Sequence, residues 1–210
     1  MHPSKAPPTC ERCGKAERYC VCYAMQILPS KLKLLILQHP KEAGEALGSA
    51  IILHLAHPDS RLCVGLSWPN LSKALGQVAD PKEWAVLYLG SARLIPGEHV
   101  KAPTLLRVTR KDKAVPEELE NLSKLRGVVL LDGNWRQVKS LWWRNPWLLK
   151  LKRLLLIPQG KSLYGKLRRE PRSESVSTLE AAAQTMAIIE QNDQIEEMLL
   201  RPFSELVRRS

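Results

Sequence analysis

Apolar residues in this chain fall in short dense runs, separated by stretches with helical spacing. Leu34, Leu35, Ile36 and Leu37 form the first run, and it closes at Gln38-His39-Pro40, where proline ends a strand ladder. Residues 42–56 predict one helix, with Ala46, Leu47, Ala50, Leu53 and Leu55 turned inward. Residues 61–66 predict a second strand, 70–78 a short helix, and 84–89 a third strand running into Gly90-Ser91-Ala92-Arg93. Residues 105–108 predict a short extended piece. Pro116-Glu117-Glu118 opens a helix, with proline in the first turn and acids against the positive end of the dipole. Val128, Val129, Leu130 and Leu131 then run straight into Asp132-Gly133, the mark of a buried strand that ends in a tight turn. Residues 134–147 predict a helix with Trp135, Val138 and Trp142 on one face, and 154–157 a last short strand. A polar loop rich in glycine and arginine fills 158–176. One long helix is expected from about 178 to 200, with Leu179, Ala182, Ala183, Met186 and Ile189 inward.

Short strands alternating with helices predict an α/β fold: a mainly parallel sheet with helices on both faces. In such sheets ligands bind beyond the carboxyl ends of the strands. Asp132, Gly90-Ser91 and the loop after Ile157 all fall there. From spacing alone Asp132 either caps the next helix or is a reactive carboxylate. Ser177-Thr178-Leu179-Glu180 has the spacing of a capping box. His39 also sits at a strand end. With no partner at metal spacing, it reads as a structural hydrogen-bonder or a substrate contact.

The first 25 residues have a different character. Pro3, Pro7 and Pro8 keep the N-terminus extended, and four of the five cysteines then lie within thirteen residues: Cys10-x-x-Cys13-Gly14 and Cys20-x-Cys22. In a reducing compartment that density reads as a metal site rather than disulfides. Four thiolates complete a tetrahedral shell, so the expected ion is a structural zinc in a small module over 1–25, ahead of a main domain over 26–210. The remaining cysteine, Cys63, reads as an inert core residue.

Composition changes the picture less than charge does. At 44% hydrophobic and 25% charged, the 210-residue chain is that of a globular protein. No apolar run reaches the ~20 residues of a membrane span, and the N-terminus lacks the apolar core of a signal peptide. A cytoplasmic protein is expected. The net charge of +11 is concentrated: residues 126–172 hold twelve lysines and arginines against two acids, Asp132 and Glu170. Trp135, Trp142, Trp143, Trp147 and Tyr164 are interleaved with them. A basic, aromatic-studded segment fits a polyanion such as nucleic acid better than a merely solvated face. No G-x-G-x-x-G or Walker signature is present.

An ordered series of motifs resembles the DTW-domain family. It begins with the cysteines and Gln38-His39-Pro40-Lys41-Glu42 and continues through Leu131-Asp132-Gly133-Asn134-Trp135-Arg136-Gln137. Arg144-Asn145-Pro146-Trp147 follows, then Tyr164, Arg168-Arg169-Glu170-Pro171 and Ser177-Thr178-Leu179-Glu180-Ala181. The resemblance spans Cys10 to Ala183. It implies a SPOUT-like, knotted fold and a tRNA-uridine aminocarboxypropyltransferase using S-adenosylmethionine. The other readings are an RNA methyltransferase of the same fold class and a non-catalytic, zinc-stabilised RNA-binding protein.

The resemblance places Asp132 as the base, or as the group that orients the amino group of the cofactor. Gly90, Ser91, Gly133, Trp135, Ile157, Ser177, Thr178 and Glu180 would hold S-adenosylmethionine. His39, Asn134, Arg136, Lys139, Arg144, Lys161, Tyr164, Arg168, Arg169 and Arg172 would contact tRNA. Cys10, Cys13, Cys20 and Cys22 would bind the zinc. No obligate protein partner is expected. The family signature reads Asp-x-Thr-Trp, and this chain has Asn134 at the threonine position.

Overall fold

The computed structural model describes residues 8–87, 93–94, 103–109, 111–165, 167 and 176–210. Its strands are β1 (Lys33–Gln38), β2 (Ser60–Val64), β3 (Trp84–Leu87), β4 (Arg93–Leu94), β5 (Thr104–Val108), β6 (Lys113–Pro116), β7 (Gly127–Asp132) and β8 (Lys152–Ile157). Its helices are α1 (Ala50–Ala56), α2 (Leu71–Leu75), α3 (Leu119–Ser123), α4 (Trp135–Arg144), α5 (Thr178–Glu190) and α6 (Gln194–Arg208).

The strands form one sheet in the order β2-β1-β7-β3-β8-β5-β6-β4. The run from β2 to β8 is parallel throughout, whereas β5 and β6 extend it as antiparallel neighbours of β8 and of each other. The expected mainly parallel α/β sheet is therefore present, with an antiparallel wing. Alternation along each central strand divides the core in two. Leu34, Ile36, Val128 and Leu130 pack under α1, α3, α5 and α6, while Leu35, Leu37, Val129 and Leu131 pack under α2 and α4. A strand buried on both faces must be apolar throughout, which is why β1 and β7 read as unbroken apolar runs.

Three predicted elements differ. The single helix over 42–56 is a one-turn 3₁₀ segment, Pro40–Glu42, and then α1, with turns between them. Gly44 adopts φ 83°, a conformation that a continuous helix excludes. The helix expected over 134–147 stops at Arg144, because Pro146 keeps the preceding Asn145 out of the helical region, at φ −126° and ψ 67°; a 3₁₀ turn, Pro146–Lys150, follows it. The long last helix is two helices, broken where Gln191 turns left-handed at φ 51°. In addition, the region 104–116 is a hairpin of β5 and β6, so Pro116 ends a strand and the helix begins three residues later.

Two features of the core carry measurable consequences. Gly127 opens β7 directly against Trp84, and a Cβ there would lie 2.5 Å from the indole ring. Gly127→Ala is expected to destabilise the fold by about 1–3 kcal/mol, read by denaturant unfolding. His57 is fully buried, and its Nε2 donates to the Leu32 carbonyl at 2.7 Å. Burial pulls its pKa below the ordinary 6.5, although that hydrogen bond opposes the shift. The ring is thus neutral in the fold, while the unfolded chain gains a proton below pH 6.5. Stability is then complete above that pH and falls as the solution is acidified from it, by up to about 1.4 kcal/mol per pH unit. Unfolding curves between pH 7.5 and 5.5 should show that slope, and His57→Asn should flatten it.

Candidate functional site

The site follows from how two neighbouring strands are connected. β1 leads to α1 on one face of the sheet, and β7, its parallel neighbour, leads to α4 on the other. Chains leaving adjacent strands toward opposite faces open a crevice beyond their carboxyl ends. The last register pair of β1 and β7 is Gln38 with Asp132, so these two side chains sit at the floor of that crevice.

Asp132 is buried, at 7% exposure. Gln38 Nε2 donates to its Oδ2 at 2.8 Å, and Thr178 Oγ1 donates to its Oδ1 at 2.6 Å. The His39 amide donates to the Asp132 carbonyl at 3.0 Å. Three separate elements thus fix the carboxylate: the end of β1, the end of β7 and the first residue of α5. Gln38 was not singled out by the sequence reading. Its signal was available, as a polar residue closing a wholly apolar strand at the edge that also carries Asp132.

The turn after Asp132 is built for close approach. A Cβ on Gly133, whose φ is 155°, would lie 2.9 Å from Gln137 Cβ. Gln137 is drawn back by a capping box: Asn134 Oδ1 accepts from the amides of Arg136 and Gln137, and Gln137 Oε1 accepts from the Asn134 amide. Asparagine therefore performs the capping that threonine would perform at the family's signature position. His39 lies against Gly133 and uses Nδ1 to accept from the Lys41 amide.

Ser177 and Glu180 form the second capping box, at the mouth of α5. The Glu180 carboxylate accepts from the Ser177 amide, the Leu163 amide and the Ser162 hydroxyl, all within 2.8 Å. Glu180 thereby ties the loop after Ile157 to the start of α5.

Tyr164 requires correction. Expected as a contact to a bound polyanion, it is 2% exposed, stacks edge-on to Phe203 with ring centroids 4.9 Å apart, and donates its hydroxyl to the Leu47 carbonyl. Its hydroxyl finds a partner inside the protein, so the ring is free to join the core. Asn145 is structural in the same way. Its amide bridges Leu66 and Leu141 carbonyls, the Trp68 amide and the Trp147 indole, locking the end of α4 to the segment after β2.

The basic segment separates into two groups. Arg126, Lys152 and Arg153 pair with Glu83, Glu117 and Asp112. Arg136, Lys139, Arg144 and Lys161 are exposed and, among the described residues, form no ion pair. Trp135 is at the first turn of α4 and partly exposed. Gly90, Ser91, Arg168, Arg169 and Arg172 lie outside the described residues.

All four clustered cysteines are free thiols, and their Sγ atoms lie within 4.8 Å of one another. Cys10 and Cys22 Sγ are 3.8 Å apart. A disulfide needs ~2.0 Å, whereas four thiolates at ~2.3 Å from a tetrahedral ion are spaced by ~3.8 Å. The cluster therefore fits a metal with all four positions filled by protein. Amides of Cys13 and Arg12 hold the Cys10 thiol down to about 6, while burial raises Cys13 and Cys22.

This knuckle is docked on the rest of the chain. Val21 is fully buried in the core beneath α5 and α6, and Arg209 donates to the Cys20 carbonyl. Lys15, which sequence spacing gave no reason to select, is 6% exposed and donates to the Glu45 and Ala46 carbonyls at 3.1 and 2.8 Å. Burial lowers its pKa, and the charges of Cys13, Asp132 and Glu45 oppose that shift. Lys15, Gln38, Glu42 and Gly48 line a cleft of about 200 Å³ beside the crevice.

The family model for the DTW domain matches residues 7–210. Among curated relatives, the Macaca fascicularis protein named tRNA-uridine aminocarboxypropyltransferase 2 is 27% identical over 208 residues, which are 98% of this chain and 64% of that protein. The Drosophila melanogaster protein of the same name is 29% identical over 95% of this chain and 73% of its own length. The Mus musculus one is 28% identical over 95% and 62%. The chain thus spans between 62% and 73% of the length of these relatives. No solved structure gives a significant match.

Elemental analysis is expected to find one transition-metal ion per chain. Its removal by a strong chelator should erase the dispersed amide signals of residues 10–22 and lower the thermal midpoint; an unchanged amide spectrum in metal-free protein would refute the assignment.

Proposed function

The chain belongs to the DTW-domain family, and from that membership we propose that it is a tRNA-uridine aminocarboxypropyltransferase. The donor is S-adenosylmethionine, and zinc is the ion in the Cys10, Cys13, Cys20 and Cys22 cluster. The observation that carries this reading is the Asp132 carboxylate, buried at the β1–β7 crevice and aimed by Gln38 and Thr178.

The reaction needs little beyond orientation and a base. The proton on uracil N3 passes to the Asp132 carboxylate as N3 attacks the methylene carbon next to sulfur in the aminocarboxypropyl arm. The new N–C bond forms as the C–S bond breaks, and the electron pair returns to sulfur, releasing neutral methylthioadenosine. The sulfonium is already an activated leaving group, so the protein's contribution is to fix which of its three carbons faces N3. Gly133, Trp135, Ile157, Ser177 and Thr178 surround the same strand ends, with Gly90 and Ser91 following β3 in sequence. In this reading they receive the cofactor. Glu180 acts by holding the loop after Ile157 in place.

His39 and Asn134, at the rim, together with Arg136, Lys139, Arg144 and Lys161, would contact the tRNA, as would Arg168, Arg169 and Arg172. The net charge of +11 favours such a partner. No helix among the described residues is long and apolar enough to cross a membrane. A cytoplasmic location agrees with a tRNA substrate. A SPOUT-like, knotted fold belongs to this reading through the family, and β7 lies between β1 and β3 in the sheet.

Purified protein incubated with unmodified tRNA and S-adenosylmethionine should release methylthioadenosine and add an aminocarboxypropyl group to one uridine. Release of S-adenosylhomocysteine would instead identify a methyltransferase. Asp132→Asn is expected to lower turnover by about 10²-fold or more with the fold intact, because the Gln38 amide can rotate to accept from the new amide. Thr178→Val, which loses one hydrogen bond to a charged group, should cost on the order of tenfold. Full turnover in Asp132→Asn would refute the base assignment.

A further inference from the structure

α4 has satisfied its own packing without Trp143. Val138 and Leu141 are buried against the sheet, and Trp142 packs partly against the same cluster. Trp143 points the other way and is 76% exposed. An exposed indole offers a ligand a broad, open aromatic face. The neighbours on its face define that ligand. Arg136 and Lys139 lie seven and four residues before Trp143, which at 3.6 residues per turn places all three on one stripe. Both are exposed, and among the described residues neither forms an ion pair. A protein partner with an apolar surface would not favour two unpaired cations beside the indole. A nucleic-acid strand satisfies both, with phosphates on the cations and a base on the ring.

We propose that Trp143 is a stacking platform for an unpaired nucleotide of the RNA, with Arg136 and Lys139 holding the flanking phosphates. This rests on the tRNA reading and deepens it. A paired base offers no open face to an indole, so the bound segment is single-stranded. α4 begins directly after the Asp132-Gly133-Asn134 turn, and Trp143 is eight residues beyond Trp135, or about 12 Å along the helix axis. The stacked base is therefore not the reacting uridine but a neighbour on the same strand, which fixes the register of the uridine over Asp132. Trp143 is a positioning residue in this account.

The test compares wild type, Trp143→Ala, Trp143→Phe and Lys139→Ala. Binding of unmodified tRNA, of a single-stranded oligoribonucleotide and of a blunt RNA duplex is measured by anisotropy across a salt series. Trp143→Ala should weaken tRNA and single-strand binding about five- to a hundredfold, with the salt slope and duplex binding unchanged. Trp143→Phe should restore most of the affinity. Lys139→Ala should instead reduce the salt slope by close to one. Trp143→Ala within twofold of wild type, an equal loss on duplex, or no RNA binding by wild type would each overturn the proposal. The binding assay requires no turnover. A wild-type protein that binds RNA through Trp143 but releases no methylthioadenosine would support this surface while refuting the transfer reaction.

Discussion

The pairing of β1 with β7 is the constraint on which the rest of the structure depends. Six register pairs run from Lys33–Gly127 to Gln38–Asp132, and every residue of β7 is buried. Burial on both faces requires apolar side chains along the strands, so a polar group is tolerated only where the ladder ends and partners are available. Gln38 and Asp132 occupy that end and satisfy each other. The same pairing lies where the connections diverge to opposite faces of the sheet. The crevice is thus located by topology before any residue type is considered: it opens where the connections part, and that is where the carboxylate is.

The cysteine knuckle extends this arrangement. A segment of its length cannot bury enough surface to fold alone, and it leans on the rest of the chain. Once fixed, it delivers three contacts at a distance from one another: Val21 into the core, Cys20 to Arg209 of the C-terminal end, and Lys15 to the turn between β1 and α1. The last contact matters for the site, because that turn forms the wall of the cleft beside Gln38. A lysine held by two carbonyls at 6% exposure is a rigid strut rather than a solvated charge. The knuckle therefore braces the wall of that cleft through Lys15.

Much of this was legible in the sequence. The strands were readable because burial on both faces forces continuous apolar runs, and both capping boxes were readable because they are local. The helix ends were less so. Ala46 and Leu47 keep the spacing of a helix that Gly44 interrupts, and Gln191 has the φ of a glycine without being one. Both breaks are set in the local backbone, the amides of Gln191 and Asn192 each returning to the Ala187 carbonyl. Tyr164 misled for a different reason: its neighbourhood is that of a basic surface, but its hydroxyl is taken by Leu47 and its ring by Phe203, both far along the chain. Gln38 is legible as the polar close of an apolar strand, but its partner emerges only from the register of β1 on β7, and Lys15 carries no pattern of its own until the knuckle docks.

Asp132 and Glu180 are both buried at the same end of the sheet, and their donors differ in kind. Glu180 accepts two backbone amides and one hydroxyl, and two of those three donors belong to the loop it must hold. Withdrawing it would release that loop and uncap α5 together, so it is committed to structure. Asp132 accepts from the side chains of Gln38 and Thr178, while its backbone carbonyl takes the His39 amide. Side-chain donors can rotate as charge or a proton arrives, whereas amides in a helix cap cannot. A carboxylate that must change its proton occupancy during a reaction is better served by the first environment than by the second. The distinction between the two acids lies in their donors rather than in their burial, which is 7% and 4% exposed.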